Sequence, residues 1–176
     1  MSIKPYGQVR QLAWITSDIG RAMAHWSRVL GAGPWFYKEH VAVTTFRYKG
    51  LASPPPVMSI AFANSGELQL EIIQQRNDVP SMYRDFILKN GDGMQHVAFW
   101  TTDFDAVTAQ IQADGYTEGH AGQIGQRGRF AYFEHPDLPG TVIEISEQTG
   151  GKAEFFREIR EAAAGWDGSD PIRPRA

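Results

Sequence analysis

At 176 residues, with 42% hydrophobic and 12% aromatic side chains, the chain is long enough for one compact domain or two small modules sharing a core, and neither disorder nor a coiled coil is expected. A formal net charge of −3 without clustered Lys and Arg argues against a nucleic-acid surface, and no run of about 18 apolar residues offers a membrane span. The absence of cysteine removes disulfides, thiolate metal sites and thiol nucleophiles, so any metal must be held by nitrogen and oxygen.

The first residues, MSIKPYGQVRQ, lack the apolar stretch of a secretory signal, which makes a cytoplasmic protein the expectation. QLAWITSD, residues 11–18, reads as a strand handing over to a helix. Ile19, Ala22, Met23, Trp26, Val29 and Leu30 then recur along one helical face, Ser17 or Asp18 is placed to cap the opening amides, and Gly31 follows the last periodic residue. Strands are expected near 35–48, 57–63 and 67–74, with a loop from Gly50 to Pro56 and a turn at Asn64-Ser65-Gly66. Residues 75–94 form a linker in which PSMYRDFIL reads as a short helix.

QHVAFWTTD, residues 95–103, begins the pattern again. A cap at Thr102 or Asp103 precedes a helix carrying Phe104, Val107 and Ile111, which stops at Gly115. Strands follow near 116–121, 128–134 and 141–147, divided by Gly122 to Gly128 and by Pro136 to Gly140. In the tail, residues 152–164 place Phe155, Phe156, Ile159 and Ala163 on one helical face, suited to docking on the body or on a second subunit. Trp166, Asp167, Gly168, Pro171 and Pro174 then make an irregular arm.

The two halves are copies of one unit. QLAWITSD aligns with HVAFWTTD so that Leu12, Ala13, Trp14, Thr16 and Asp18 match Val97, Ala98, Phe99, Thr101 and Asp103, and each copy continues into a helix and three strands. The expected fold is α+β: a βαβββ module over 1–74, a linker with a short helix over 75–94, a second βαβββ module over 95–147, and a C-terminal helix and tail over 148–176.

Strands alternate faces, so the pattern within each strand says which side chains point together. In ELQLEIIQ, Leu68, Leu70 and Ile72 oppose Glu67, Gln69 and Glu71; in TVIEISE, Ile143 and Ile145 oppose Val142, Glu144 and Ser146. Gln11 goes with Ala13 and Ile15, and His96 with Ala98 and Trp100. If the halves pair about a pseudo-twofold axis, Gln11, Glu71, His96 and Glu144 converge on the face turned away from the helices. A carboxylate in mid-strand is expensive to desolvate unless paired, hydrogen-bonded or metal-bound. Two carboxylates, an imidazole and an amide oxygen suit one divalent cation, from among Zn, Ni, Co, Mn and Fe.

In QLAWITSDIGRAMAHWSRVLGAGPWF, GELQLEII, GMQHVAFWTTDFDAV and YFEHPDLPGTVIEI the chain resembles the vicinal oxygen chelate superfamily, the group of glyoxalases, methylmalonyl-CoA epimerases, extradiol dioxygenases and bleomycin-resistance proteins. The resemblance spans roughly residues 8–147. It implies two βαβββ modules forming a cleft or half-barrel of mixed β-sheet, metal ligands on the first and last strand of each module, and a homodimer. Carried over residue by residue, the ligands fall on Gln11, Glu71, His96 and Glu144. The first is often histidine in epimerase-like members, whereas Gln, Glu, His, Glu is a set found in glyoxalase I enzymes. Extradiol dioxygenases hold iron with two histidines and a carboxylate, and Gln11 cannot supply the first histidine.

Such a site favours proton transfer next to a carbonyl: a Lewis-acidic cation stabilises the developing oxyanion, and Glu144 or Glu71 moves the proton. That chemistry is an isomerase's, epimerase's or lyase's, on a small thioester, hemithioacetal or related compound. Arg127 and Arg129 in GQRGRF are suited to holding a carboxylate or phosphate, and Trp35, Phe36, Tyr37, Phe46, Trp100 and Tyr132 to walling an apolar pocket. Asp18 and Asp103 are explained as helix caps, His25 as a surface residue, and His40, His120 and His135 as strand-end or loop residues. The competing reading is a non-catalytic small-molecule binding or resistance protein of the same fold.

Overall fold

The computed structural model describes residues 5–126 and 128–175. The first half contains β1 (Val9–Ile15), α1 (Ile19–Leu30), β2 (Trp35–Val41), β3 (Val43–Tyr48), β4 (Leu51–Ala52), β5 (Met58–Ser65) and β6 (Leu68–Gln75). After α2 (Met82–Asn90) come β7 (Gly93–Thr101), α3 (Phe104–Ala113), β8 (Thr117–Ile124), β9 (Arg129–Glu134) and β10 (Val142–Glu147), and the chain ends with α4 (Gly151–Ala163) and β11 (Ile172–Pro174). Local chemistry sets the helix ends. The Asp18 carboxylate accepts from the Arg21 amide and Asp103 from Ala106, each satisfying an amide that the first helical turn leaves open, and Gly31 closes α1 at φ 66°.

The eleven strands of the described residues form one mixed sheet in the order β11-β2-β5-β6-β1-β7-β10-β9-β8-β3-β4. At its centre β1 runs antiparallel to β7, so the two halves pair within one chain. Each opening strand lies parallel to the last strand of its own half, β1 beside β6 and β7 beside β10.

The stretch expected as one strand over 35–48 is two strands at opposite ends of the sheet. β2 pairs with β5, whereas β3 pairs with β8 of the other half. Only Ala42 separates them, and two peptide steps span at most about 7 Å. The sheet is therefore bent until its ends meet, giving a half-barrel.

Alternation sorts the core into layers. Leu70 and Ile72 of β6 and Ala61 and Ala63 of β5 pack outward with Ile19 and Met23 of α1. Ile143 and Ile145, with Ala131 and Phe133, pack outward with Ile111 of α3. The inward positions, among them Ile15, Met58, Ile60, Phe62, Ile73, Phe130 and Tyr132, face the hollow, where Met82 and Tyr83 of α2 and Phe156 and Ile159 of α4 meet them. The tail helix thus docks on its own body, and β11 adds to the edge of β2.

Two further differences from the expected elements have local causes. β8 runs through Gly122 to Ile124 because this glycine lies between Phe46 of β3 and Phe130 of β9; a Cβ there would stand 2.6 Å from the Phe130 ring and 2.8 Å from the Thr45 carbonyl. It marks a close approach, not a turn. Within the loop expected from Gly50 to Pro56, Leu51 and Ala52 pair back on Tyr48 and Arg47 across Lys49 and Gly50, both at positive φ, as a tight hairpin requires.

Candidate metal centre

The register of the four central strands builds the site. Across the sheet, Glu71 of β6, Ala13 of β1 and His96 of β7 lie side by side. Two residues along, Gln11 of β1, Ala98 of β7 and Glu144 of β10 make a second row on the same face. A pseudo-twofold axis between Ala13 and Ala98 exchanges the rows, mapping Gln11 on His96 and Glu71 on Glu144. Both alanines are fully buried, and their methyl groups form the low floor over which the four longer side chains meet.

Each half also carries one unmatched residue in the β1–β7 ladder. Arg10 is extra between the pairs Val9/Phe99 and Gln11/Ala98, and Gln95 is extra between Ala13/His96 and Trp14/Met94. Such bulges re-aim the neighbouring side chain, and each precedes one of the exchanged positions, Gln11 and His96. Their equivalence supports the alignment of the two copies.

Ligand-type atoms of Glu71, His96 and Glu144 all lie within 4.8 Å of one another. His96 Nε2 is 3.1 Å from Glu144 Oε2 and 3.4 Å from Glu71 Oε2, and the three residues are 0%, 5% and 5% exposed in the order His96, Glu71, Glu144. Glu71 Oε2 is buried and receives no hydrogen bond of acceptable geometry. Gln11, equally buried, donates its Nε2 to Gln69 Oε1 at 2.7 Å and lines the same cavity as the two glutamates. That bond leaves the amide oxygen, the ligating atom of a glutamine, uncommitted. An unpartnered carboxylate oxygen among two acids, an imidazole nitrogen and an amide oxygen fits a divalent cation.

The orientation of His96 is set by Gln95, a contact that the sequence does not announce because the bulge places two consecutive side chains on one face. Gln95 Nε2 donates to the Met82 carbonyl at 2.8 Å, so its Oε1, 3.1 Å from His96 Nδ1, must accept from that nitrogen. The Nδ1 proton is thereby pinned, and Nε2 faces the acids. Burial disfavours a charged imidazole, but the carboxylates of Glu144 and Glu71 beside Nε2 outweigh it and push His96 up to about 9. In the metal-free protein the Nε2 proton therefore stands where a cation would bind.

The two acids are pushed apart. Burial, with the charge of Glu144, raises Glu71 against the opposing pull of the nearby His96. Burial also acts on Glu144, but there the hydrogen bond and charge of His96 and the charge of Lys152 prevail and lower it.

Around this centre lies a cavity of about 530 Å³, walled by apolar side chains of β5, β6, β8 and β9 and by Phe155 and Phe156 of α4. Tyr132 lines it, with its hydroxyl 3.4 Å from His96 Nε2 and accepting from the Tyr83 hydroxyl at 3.0 Å. Trp100 is half-buried against Phe156 with the Arg10 guanidinium over its ring, and it is not among the residues lining the cavity. Nor is Arg129, whose guanidinium is held by Glu147 and Asp105 and lies over Phe104. Arg127 lies outside the described residues. Of the other expected wall aromatics, Phe36 and Phe46 belong to the inner core, while Trp35 and Tyr37 pack with the outer layer.

His120 is not a strand-end residue: it is fully buried in β8, where Nδ1 accepts from the Met82 amide at 3.3 Å and the ring packs against Tyr83 and Tyr132. His135 serves its turn, accepting from the Asp137 amide. Sequence reading passed over Lys152 and Ser146, which also line the cavity and bond to each other at 2.6 Å; the inward alternation of Ser146 with Glu144 was the available signal.

The chain is similar in fold to several solved structures. Methylmalonyl-CoA epimerase from Mycobacterium tuberculosis superposes with a TM-score of 0.60 at 16% identity, over 88% of this chain and 96% of that one. A hypothetical protein, BH1468 from Bacillus halodurans C-125, gives 0.58 at 15% identity over 81% and 95%. A variant of Streptomyces coelicolor methylmalonyl-CoA epimerase in complex with 2-nitronate-propionyl-CoA gives 0.52 at 17% identity over 81% and 95%. Comparison with curated proteins finds no match. The profile of one family matches residues 10–133, from the strand that bears Gln11 to the strand that bears Tyr132. The chain belongs to the Glyoxalase/Bleomycin resistance protein/Dioxygenase superfamily.

Proposed function

We propose that this protein is a metal-dependent enzyme that moves a proton at a carbon next to the carbonyl of a small molecule, as an isomerase, epimerase or lyase. The observation that carries this reading is the meeting of Glu71, His96 and Glu144 within 4.8 Å, buried, with Glu71 Oε2 unpartnered. Gln11, Glu71, His96 and Glu144 would hold the cation, which would supply a Lewis acid for the carbonyl oxygen. Structural neighbours that are methylmalonyl-CoA epimerases support this class of reaction.

The chain's own groups divide the work. Gln95 holds the His96 ring with Nε2 toward the centre. Glu144, held ionised, stays as an anchor, while Glu71, whose carboxyl is pushed up by burial, takes the proton from carbon and returns it. The apolar walls limit how much bulk water reaches the reacting carbon.

Protein purified without chelator should contain about one divalent ion per chain by elemental analysis, lost in His96→Ala and Glu144→Ala at an unchanged circular dichroism spectrum. Glu71→Gln should abolish exchange of solvent deuterium into acyl-thioester and hemithioacetal substrates. A metal-free protein that binds small molecules but exchanges no proton would point instead to a sequestering member of the superfamily.

A further inference from the structure

Lys152, at the start of α4, lines the cavity. Its Nζ donates to Ser146 Oγ at 2.6 Å and lies 5.5 Å from the centroid of the Phe156 ring, and both Lys152 and Ser146 line the cavity wall. Among the described residues no carboxylate comes within 4.0 Å of this ammonium, whereas Arg175, which also lines the cavity, is paired with Glu158. A half-buried ammonium answered by a neutral hydroxyl keeps N–H donors for something else.

We propose that Lys152 and Ser146 form an anion subsite that selects substrates bearing a carboxylate. Ser146 is two residues from Glu144 on the same inward face, which sets the subsite about 7 Å along the strand from the metal-centre carboxylate. A carboxylate held there is several bonds from a carbon placed at Glu71 and Glu144. The remainder of the molecule meets Phe62, Phe130, Phe155 and Phe156, so it is apolar and accommodates an aromatic ring. The substrate class is thus a carbonyl compound with a nearby carboxylate and an apolar body. Burial pulls the Lys152 ammonium below its ordinary range against the upward pull of Glu144 and Glu71, as expected of a cation that an incoming anion would complete.

The inference rests on the proton-transfer reading for what happens at the reacting end, whereas the subsite itself is testable without metal. Binding of 3-phenylpropanoate and of its neutral amide, 3-phenylpropanamide, is measured by calorimetry on the full chain after chelator treatment. The wild type should prefer the acid by tenfold or more, Lys152→Met should lose that preference while still binding the amide, and Lys152→Arg should keep most of it. Ser146→Ala, which leaves the charge in place, should lower the preference severalfold. Equal binding of acid and amide by the wild type, no binding of either, or a preference that survives Lys152→Met overturns the subsite. If Lys152 served only as a counter-charge to the glutamates, Lys152→Met would change metal affinity and leave the preference intact, which also overturns it. Failure of the proton-transfer reading would instead appear as absent metal or absent exchange, with the acid preference untouched.

Discussion

Replacing Gln95 by methionine keeps the length of the side chain and removes both of its hydrogen bonds, to His96 Nδ1 and to the Met82 carbonyl. Met82 opens α2, where the helix's own hydrogen bonding reaches the same carbonyl, so the larger loss falls on the imidazole N–H. One buried donor left without an acceptor costs about 1–3 kcal/mol of folding stability. Freed of its acceptor, the ring turns and shifts its tautomer, and groups that orient a ligating histidine in this way typically carry ~10–100-fold of metal affinity. Gln95→Met should therefore bind zinc or cobalt about 10–100-fold more weakly in chelator competition, about 1.4–2.7 kcal/mol, with a matching loss of stability in chelator-treated protein. Gln95→Glu, which restores an acceptor at Nδ1, should recover metal affinity but not the bond to Met82. Gln95→Met with wild-type metal affinity and reduced stability would show that the amide supports packing alone, and would refute the assignment of Nε2 as the ligating atom.

Because His96 titrates at about 9 in the metal-free protein and a cation must displace its Nε2 proton, apparent metal affinity should climb about tenfold per pH unit from 7 to 9 and level off above. The same shift has the opposite sign for the chelator-treated fold: a raised imidazole pKa contributes stability that is complete below the unfolded value of 6.5 and is lost as pH rises through 9, up to about 3 kcal/mol in denaturant titrations. Ala98→Val thickens the floor between Gln11 and Glu144; it should cost about 1–3 kcal/mol of stability and weaken metal binding at least tenfold in chelator competition. Arg129→Ala removes a two-pronged pair with Glu147 at the surface side of β9; urea unfolding should register a loss of about 1 kcal/mol, with carboxylate binding unchanged.

Most of the candidate site's geometry was legible because sheet geometry is periodic. Once Leu70, Ile72, Ile143 and Ile145 are assigned to the outer face, Glu71 and Glu144 have only the inner one, and the matched alanines at 13 and 98 align the halves without any knowledge of contacts. What escaped depends on events that break the period. The extra residues Arg10 and Gln95 shift the ladder by one position without any glycine or proline to mark them. Ala42 divides one apolar stretch between opposite ends of the sheet, although nothing in VAVTTF distinguishes a bend from a continuous strand. Gly122 looks like punctuation and is spacing. Arg129 resembled an anion hook, but its acids, Glu147 and Asp105, come from segments 18 and 24 residues away, and the partner of a surface arginine is not encoded near it.

The hairpin of β3 and β4 belongs to the first half by chain order and to the second by pairing, since Val43–Tyr48 finds its neighbours at 120–124. During synthesis that hairpin leaves the ribosome some seventy residues before its partner strand, so it waits unpaired while β1, β5 and β6 already have one another. Its docking shuts the half-barrel, which makes the enclosed chamber a late acquisition of folding. A nascent or truncated chain that stops short of β8 would thus own half the acids and no closed chamber around them.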